Sequence, residues 1–303
     1  MGVAAAGQSP LPYAKAIASW FDDKRGMALG VAMSGVGLGA ALVPQWAQWL
    51  VAHADWQYVD LGLTTLVLAV GVPAVALAIR EAGPAGAARA AGDTPGLSGV
   101  EALKNAAFWK LALAFFAVPL ATSGTIAHVV PLLVDPGIAA QIAAGAIAFA
   151  GLALTGGRLF AGYLFDRLHA PHVATIFMLP PLAGIAQLLA GVPPQVKPVA
   201  IVLIGLGLGA EVDLIAYLLS RYLGIRCFGE LYGYLFSVFM LGSGLGPWVM
   251  GFAFDRTGSY QLALGAFVVA LVLACALLLR LGPYHYAQID GAHGRLRPAH
   301  SPA

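Results

Sequence analysis

Charged residues and cysteines are scarce in this 303-residue chain. Lys, Arg, Asp and Glu together make up 10% of it, whereas soluble domains are about a quarter charged. The two cysteines, Cys227 and Cys275, lie far apart without CxxC spacing, so they predict neither a disulfide framework nor a metal site. The net charge of +2 is too small to indicate nucleic-acid binding. With 60% hydrophobic residues and a mean hydropathy of +0.82, the chain has too little polar surface for water, so we expect the lipid bilayer to be its solvent.

The sequence is dominated by long apolar runs. A bilayer core of ~30 Å requires about 20 apolar residues in a helix, and nine runs approach or exceed that length. The runs are Gly2–Phe21, Gly26–Val51, Val59–Ile79, Phe108–Val134, Ile138–Phe165, Val173–Val192, Pro198–Leu219, Leu231–Phe254 and Tyr260–Leu281. They are continuous rather than alternating, which predicts helices and not an outer-membrane barrel. The fold class expected is therefore an all-α, multi-pass integral membrane protein.

Lys and Arg are concentrated in alternate loops. The segments after the second, fourth, sixth and eighth runs hold only Lys197 and Arg256, and the other segments hold most of the remaining cations. The positive-inside rule then predicts a cytoplasmic C-terminus in a cell membrane and, with nine spans, an outward N-terminus. Because an outward N-terminus without a signal sequence is uncommon, we expect further helices upstream of this chain.

The chain divides at its polar segments. Residues 81–105 are rich in Gly, Ala and Pro, which predicts a flexible cytoplasmic linker. Residues 1–80 then hold three spans and residues 106–282 hold six. Residues 283–303 form a polar tail that is expected to be cytoplasmic and disordered.

A glycine pattern repeats at one offset along the chain. Its members are Gly35, Gly37 and Gly39 in the second span, and Gly242, Gly244 and Gly246 in the eighth. The same offset aligns Phe21, Asp23 and Gly26 with Phe228, Glu230 and Gly233. Both copies run outward from a cytoplasmic loop, which indicates a parallel repeat of six helices, an architecture of secondary transporters. The alternative is that both runs are simply glycine-rich surfaces for helix packing.

Several motifs then resemble one family. The segment Gly162-Tyr163-Leu164-Phe165-Asp166-Arg167 resembles the G-x-x-x-D-R loop motif of the major facilitator superfamily, in its copy between helices eight and nine. The glycine runs that end at Pro44 and Pro247 resemble the signatures of helices five and eleven. The stretch from Gly209 to Tyr217 is similar to helix ten of the monocarboxylate/oxalate–formate branch.

This resemblance implies a major facilitator fold that lacks its first three helices. An incomplete N-terminal bundle of three helices would precede a complete C-terminal bundle of six. The resemblance also implies a gating role for Gly162, Asp166 and Arg167. At a helix end, Asp166 can accept hydrogen bonds from a neighbouring helix N-terminus and hold the inner gate shut.

Four residues inside the spans are candidates for substrate binding: Arg158, Glu211, Asp213 and Tyr217. Charged groups in a membrane are costly and are functional candidates by default. In the resembling branch an arginine at the position of Arg158 is associated with the substrate carboxylate, which a guanidinium matches in a bidentate way. The alternative is an arginine that snorkels to the cytoplasmic interface. Monocarboxylate carriers place an acid one turn before this arginine, and here that residue is Leu154, so proton coupling by such a pair is not expected.

Glu211 and Asp213 are two residues apart, which on a helix means ~200° of rotation. We therefore expect them on opposite sides, one facing the pathway and the other paired between helices, with Tyr217 on the side of Asp213. A carboxyl in an apolar site holds its proton more readily than one in water, which would suit a proton-coupled carrier. A structural ion pair or hydrogen bond is the alternative for each of them.

These features together predict a secondary active transporter that carries a small organic anion, specifically a monocarboxylate, by alternating access. The expected partners are that anion and the bilayer, with a coupled proton left open, and the expected state is a monomer without cofactor or metal. An inactive fragment or a transporter-derived sensor is the alternative. An intramembrane hydrolase is less favoured because the glycine motif before Glu211 does not match GxGD, so we expect no enzyme.

Overall fold

The computed structural model describes residues 27–28, 30–35, 39, 43, 46, 49–51, 57–73, 96–135 and 137–284. Every regular element of these residues is helical, apart from one isolated antiparallel bridge between Gly96 and Gly224. The expected all-α fold class is confirmed. The first predicted span, much of the second, Gly37 and the predicted tail beyond residue 284 lie outside the described residues.

The described helices are as follows, in chain order. They are α1 (Gln57–Leu66, continued by a π-helical turn, Val67–Gly71), α2 (Gly99–Leu103), α3 (Ala106–Ala127), α4 (Val129–Val134), α5 (Ala140–Phe165), α6 (Ala170–Leu189), α7 (Lys197–Tyr222, preceded by a 3-10 turn, Pro194–Val196), α8 (Phe228–Thr257) and α9 (Gln261–Leu279). The described residues between 27 and 35 are also helical, and we call them the 27–35 segment.

Six of these helices, α3 and α5 to α9, are long and apolar enough to cross a membrane. They correspond to the last six predicted spans. The predicted span Phe108–Val134 is interrupted at His128, where the backbone leaves helical geometry (φ −106°, ψ 17°) between α3 and α4. Pro131 accounts for the interruption, because it has no N–H to donate to the carbonyl four residues earlier and its ring clashes with that carbonyl.

The six long helices pack in a pattern with internal symmetry. Helix α3 packs against α8 and α9, α7 packs against α5 and α6, and the two groups meet where α3 contacts α7 and α6 contacts α9. The most extensive of these contacts are preserved when α3, α5 and α6 are exchanged for α7, α8 and α9. This is the arrangement expected of two three-helix repeats within one six-helix bundle.

Two glycines of the repeated pattern mediate helix packing among the described residues. A side chain at Gly242 would collide with the Phe116 carbonyl, and one at Gly246 would collide with the Leu120 carbonyl, so α8 lies directly against the backbone of α3. For three other glycines a packing role stays a prediction. No described residue comes within 4 Å of a Cβ placed at Gly244, Gly35 or Gly39.

The predicted linker ends in ordered structure, contrary to the expectation of flexibility. Ser98 begins α2 with a capping box, in which its backbone N–H donates to Glu101 (2.8 Å) and its hydroxyl accepts from the Glu101 N–H. These hydrogen bonds to Ser98 lower the pKa of Glu101. Beside them, the N–H of Leu97 donates to the carbonyl of Leu223 at 2.9 Å. Residues 96–105 are therefore fixed to the end of α7.

The start of the predicted tail is also ordered. Tyr284 accepts a hydrogen bond from the backbone N–H of Ala170 at 2.6 Å, and its ring lies 4.3 Å from that of His169. Burial raises the pKa of Tyr284 to about 12. Burial, with a smaller contribution from His172, lowers the pKa of His169. The expectation of disorder is thus wrong for residues 283 and 284, which lie at the junction of α6 and α7.

Candidate functional site

Arg158 lies at a junction of three helical elements. It projects from α5, is 4% exposed, and donates from Nε to the carbonyl of Gly209 on α7 at 3.0 Å. Its Nη1 donates to the carbonyl of Met33 in the 27–35 segment at 2.7 Å. The side chain is therefore directed into the protein, and the snorkelling alternative does not describe it.

Small residues make this junction possible. A side chain at Gly209 would collide with the Leu154 carbonyl, and it would lie 2.8 Å from the backbone nitrogen of Arg158. Gly157 on α5 and Gly205 on α7 are similarly blocked by the opposite backbone. Because the two helices touch through glycines, a backbone carbonyl of α7 comes within reach of a side chain on α5.

Asp213 provides the carboxylate partner of Arg158. It is 2% exposed, and its Oδ2 lies 3.3 Å from Nε of Arg158. The Nε–H is directed at Gly209, so the contact with Asp213 is an ion pair without a directed hydrogen bond. Neither carboxylate oxygen of Asp213 accepts a hydrogen bond from any residue that the structure describes. The acid that the sequence lacks at Leu154 on α5 is supplied by α7.

Glu211 is the second buried carboxyl of α7, and Arg158 lies within electrostatic range of it as well. It is 4% exposed and lies beside the hydroxyl of Thr122 on α3. Its Oε1 has no hydrogen-bond partner among the described residues. Glu211 and Asp213 thus have different neighbours, Thr122 on α3 and Arg158 on α5, and their expected separation on opposite sides of α7 stays a prediction.

Tyr217 is engaged away from Arg158. Its hydroxyl donates to the carbonyl of Phe165 at 2.7 Å, and its ring stacks on the Phe165 ring at 5.0 Å. Arg221 donates to the same hydroxyl at 3.2 Å. The structure therefore places Tyr217 in a contact that joins the ends of α5 and α7, and its substrate-binding role stays a prediction.

The predicted gating residues lie at the C-terminal end of α5. Oδ2 of Asp166 accepts a hydrogen bond from the backbone N–H of Met27 at 3.0 Å, which is the kind of contact anticipated for this residue. The guanidinium carbon of Arg167 lies 3.9 Å from the centre of the Tyr163 ring. Their gating role stays a prediction.

The 27–35 segment and α5 are antiparallel and in regular register. A Cβ at Gly30 would lie 3.5 Å from the Cα of Gly162 and 3.0 Å from the carbonyl oxygen of Arg158. The facing pairs are Met27 with Asp166, Gly30 with Gly162, and Met33 with Arg158. Arg158 and Asp166 thus belong to one interface, between the predicted N-terminal and C-terminal parts.

Sequence reasoning missed three groups at the site. Thr122 and the Met33 carbonyl lie in apolar runs without any distinguishing signal. Tyr232 on α8 lies beside Asp213, and its buried hydroxyl has no hydrogen-bond partner among the described residues. One signal could have located the partner of Arg158: Gly205 and Gly209 are spaced for close helix contact, and Asp213 follows on the same face of α7.

A family model described as Major Facilitator Superfamily matches residues 1–247. Monocarboxylate transporter 11 of Homo sapiens is 27% identical over 267 residues, which cover 82% of this chain and 55% of that protein. Monocarboxylate transporter 13 of Bos taurus is 26% identical over 272 residues, with 86% of this chain and 61% of that protein covered. The chain thus spans less than two thirds of the length of these relatives.

Solved structures agree in fold. A crystal structure of the Escherichia coli fucose:proton symporter matches with a TM-score of 0.60 at 18% identity, and covers 86% of this chain and 70% of that one. A structure of the same transporter in the outward conformation matches with a TM-score of 0.57, also at 18% identity, and covers 86% of this chain and 69% of that one. At this identity the likeness concerns the fold alone.

Proposed function

The chain belongs to the Major Facilitator Superfamily and is a multi-pass membrane protein, and we propose that it carries a small monocarboxylate anion across the membrane by alternating access, coupled to a proton. The observation that carries this proposal is the position of Arg158, a buried cation between α5, α7 and the 27–35 segment. The names of the relatives, which include monocarboxylate transporters, support the substrate class.

Arg158 is suited to exchange its partners for a substrate. Its two directed hydrogen bonds go to main-chain carbonyls, and its ion pair with Asp213 lacks a directed hydrogen bond. A substrate carboxylate can accept two parallel N–H bonds from a guanidinium, which is a stronger interaction than a bond to a neutral carbonyl. Binding would therefore compete with the present contacts.

The charge balance explains why a proton would accompany the anion. In the empty site the positive charge of Arg158 is balanced by Asp213. An anion that pairs with Arg158 leaves Asp213 as a second negative charge in a buried site, which is costly. Proton uptake by Asp213 removes that charge. The site is then neutral both when empty and when loaded, so both forms can reorient at low cost.

Alternating access would use the interface that contains Arg158. The 27–35 segment contacts α5 at Asp166, Gly162 and Arg158, so a ligand that withdraws Arg158 from Met33 removes one of these three contacts. Major facilitator transporters operate by rocking two bundles about a central site. We expect substrate binding at Arg158 to favour separation of this interface.

Uptake into proteoliposomes tests the proposal. A panel of labelled monocarboxylates, with a dicarboxylate and fucose as comparisons, would be offered with and without an inward proton gradient. We expect gradient-driven uptake of at least one monocarboxylate. Arg158→Gln should lower that uptake by about 30-fold or more, because truncation of one member of a buried charge pair costs ~2–5 kcal/mol.

Arg256→Gln is the matched control, because Arg256 is exposed at the end of α8 and lies over the ring of Phe252. It should leave uptake unchanged. Wild-type uptake by the Arg158→Gln variant would refute the role of Arg158. If the protein bound a monocarboxylate but showed no flux, the sensor alternative would be favoured over transport.

A further inference from the structure

Glu211 is a buried carboxyl that the proposed anion site does not use. It projects from α7, is 4% exposed, and one of its oxygens lacks a hydrogen-bond partner among the described residues. A buried carboxylate without such partners carries a large desolvation cost. Its surroundings must therefore either supply a cation or leave it neutral.

Within the part of the chain that the structure describes, Glu211 has no cation of its own. Of the groups that face Glu211 from neighbouring helices, Arg158 on α5 is the charged one and Thr122 on α3 is the polar one. On α8 the titratable group is Tyr232, which lies toward Asp213. Arg158 already pairs with Asp213, and one positive charge cannot balance two carboxylates.

The hydrogen bonds of Thr122 give an independent argument. Its hydroxyl donates to the carbonyl of Val118 at 3.0 Å. A threonine hydroxyl has a single proton to donate, but its oxygen can still accept. An ionised Glu211 can only accept hydrogen bonds. Its carboxylate would then face the hydroxyl oxygen of Thr122, which has no proton left to donate, and the two acceptors would repel each other. A protonated Glu211 can donate to the oxygen of Thr122.

We propose that Glu211 keeps its proton throughout the transport cycle and joins α7 to α3 as a hydrogen-bond donor to Thr122, whereas Asp213 is the carboxyl that gains and loses the coupled proton. The two acids of α7 thus have different tasks, although only one residue separates them. The statement about Asp213 depends on the proposed function. The statement about Glu211 does not, because it follows from the environment of that residue alone.

Infrared spectroscopy of the protein in lipid bilayers tests the first statement without transport. The carbonyl stretch of a protonated carboxyl is separate from the bands of carboxylates. We expect such a band to persist from about pH 5 to about pH 8, a range in which an ordinary glutamate, with a pKa of ~4.3, is mostly ionised. The band should disappear in Glu211→Gln and shift in frequency in Thr122→Val, which removes the acceptor.

The proposal is overturned if the band titrates away within that range, or if it is unchanged in Glu211→Gln. Should that variant fail to fold, the Thr122→Val variant decides, because a band that does not move would mean that Glu211 makes no bond to Thr122. Both variants are assessed by their infrared spectra, so the test does not require transport activity.

The pH profile of uptake tests the second statement. Glu211→Gln should keep the wild-type dependence of uptake on pH, since Gln retains the shape and can donate to Thr122. Asp213→Asn should flatten that dependence, because Asn cannot exchange a proton. The opposite pattern would assign the coupled proton to Glu211 and overturn the proposal. An absence of any carboxylate uptake would refute the proposed function, while the infrared result on Glu211 would still stand.

Discussion

Two helix contacts in this protein use glycine in different ways. Where α8 meets α3, Gly242 and Gly246 each lie against an opposing backbone carbonyl, and Ser243 shares a 2.9 Å hydrogen bond with Ser123. Where the 27–35 segment meets α5, a single glycine, Gly30, makes the close approach. The second contact depends instead on two hydrogen bonds to main-chain groups of the segment: Arg158 donates to the carbonyl of Met33, and Asp166 accepts from the N–H of Met27.

The difference separates a permanent contact from one that can be exchanged. Two backbones in van der Waals contact can be parted only by losing many contacts at once, and lipid replaces few of them. A hydrogen bond from a guanidinium to a carbonyl can be replaced by a bond to a substrate carboxylate. The first contact lies within the six-helix bundle, and the second lies across the interface that would open under the proposed alternating access. Four substitutions would sharpen or break this comparison.

Gly246→Leu should have the largest effect on stability. A side chain here would collide with the Leu120 carbonyl and with Gly124 on α3, and overpacking of this kind costs about 1–3 kcal/mol or more. We expect a clear fall in the thermal unfolding temperature of the purified protein in detergent. Gly244→Leu is the control, because no described residue lies within 4 Å of its Cβ position. Equal destabilisation by the two variants would remove the argument that α8 packs through specific glycines.

Gly30→Leu should change conformation more than stability. Its Cβ would lie 3.0 Å from the Arg158 carbonyl, so the side chain would wedge the 27–35 segment away from α5. A cost of ~1.4 kcal/mol would shift a two-state equilibrium about tenfold. Spin labels at the exposed positions Val31 and Leu168 would report a longer distance. Gly35→Leu, at a position with no described neighbour within 4 Å, should leave that distance unchanged.

The sequence was sufficient to predict the six long helices but not their contacts. Apolar length located the six long helices, since a bilayer imposes that length on any spanning helix. Helical rotation predicts that Glu211 and Asp213 face different sides of α7. Neither apolar length nor helical rotation indicates which residue of another helix a side chain contacts, so the pairing of Arg158 with Asp213 could not be predicted. The glycine repeat predicts close packing at six positions, and the described contacts show it at Gly242 and Gly246.

Local order outside the membrane was also missed. Residues 96–105 and residue 284 were judged by composition, and composition does not register the capping box at Ser98 or the hydrogen bond between Tyr284 and Ala170. In both places a polar segment is ordered by a few directed bonds to a helix end. The capping pair of Ser98 and Glu101 could have been recognised from its spacing.

Asp166→Ala should have a smaller effect than the Gly30 wedge, in the same direction. The substitution removes the acceptor for the Met27 N–H, and loss of a carboxylate that binds a backbone N–H in this way costs ~1 kcal/mol. The spin-label distance distribution should shift toward separation by roughly fivefold. Asp166→Asn keeps an acceptor oxygen and should shift it less. If the two variants behaved alike, the charge of Asp166 and not its bond to Met27 would hold the interface.

Ser123→Ala should have the smallest effect of the four. The Ser123–Ser243 hydrogen bond joins α3 to α8, and hydrogen bonds between membrane helices contribute ~0.6 kcal/mol on average. The glycine contacts on either side of Ser243 would hold the two helices together without it, so we expect only a slight fall in the unfolding temperature. A double-mutant cycle with Ser243→Ala would isolate the bond. A coupling energy of more than ~2 kcal/mol would mean that α3 and α8 are joined by polar bonds as much as by packing. The contact between α3 and α8 would then differ from that between the 27–35 segment and α5 only in which hydrogen bonds a substrate can reach.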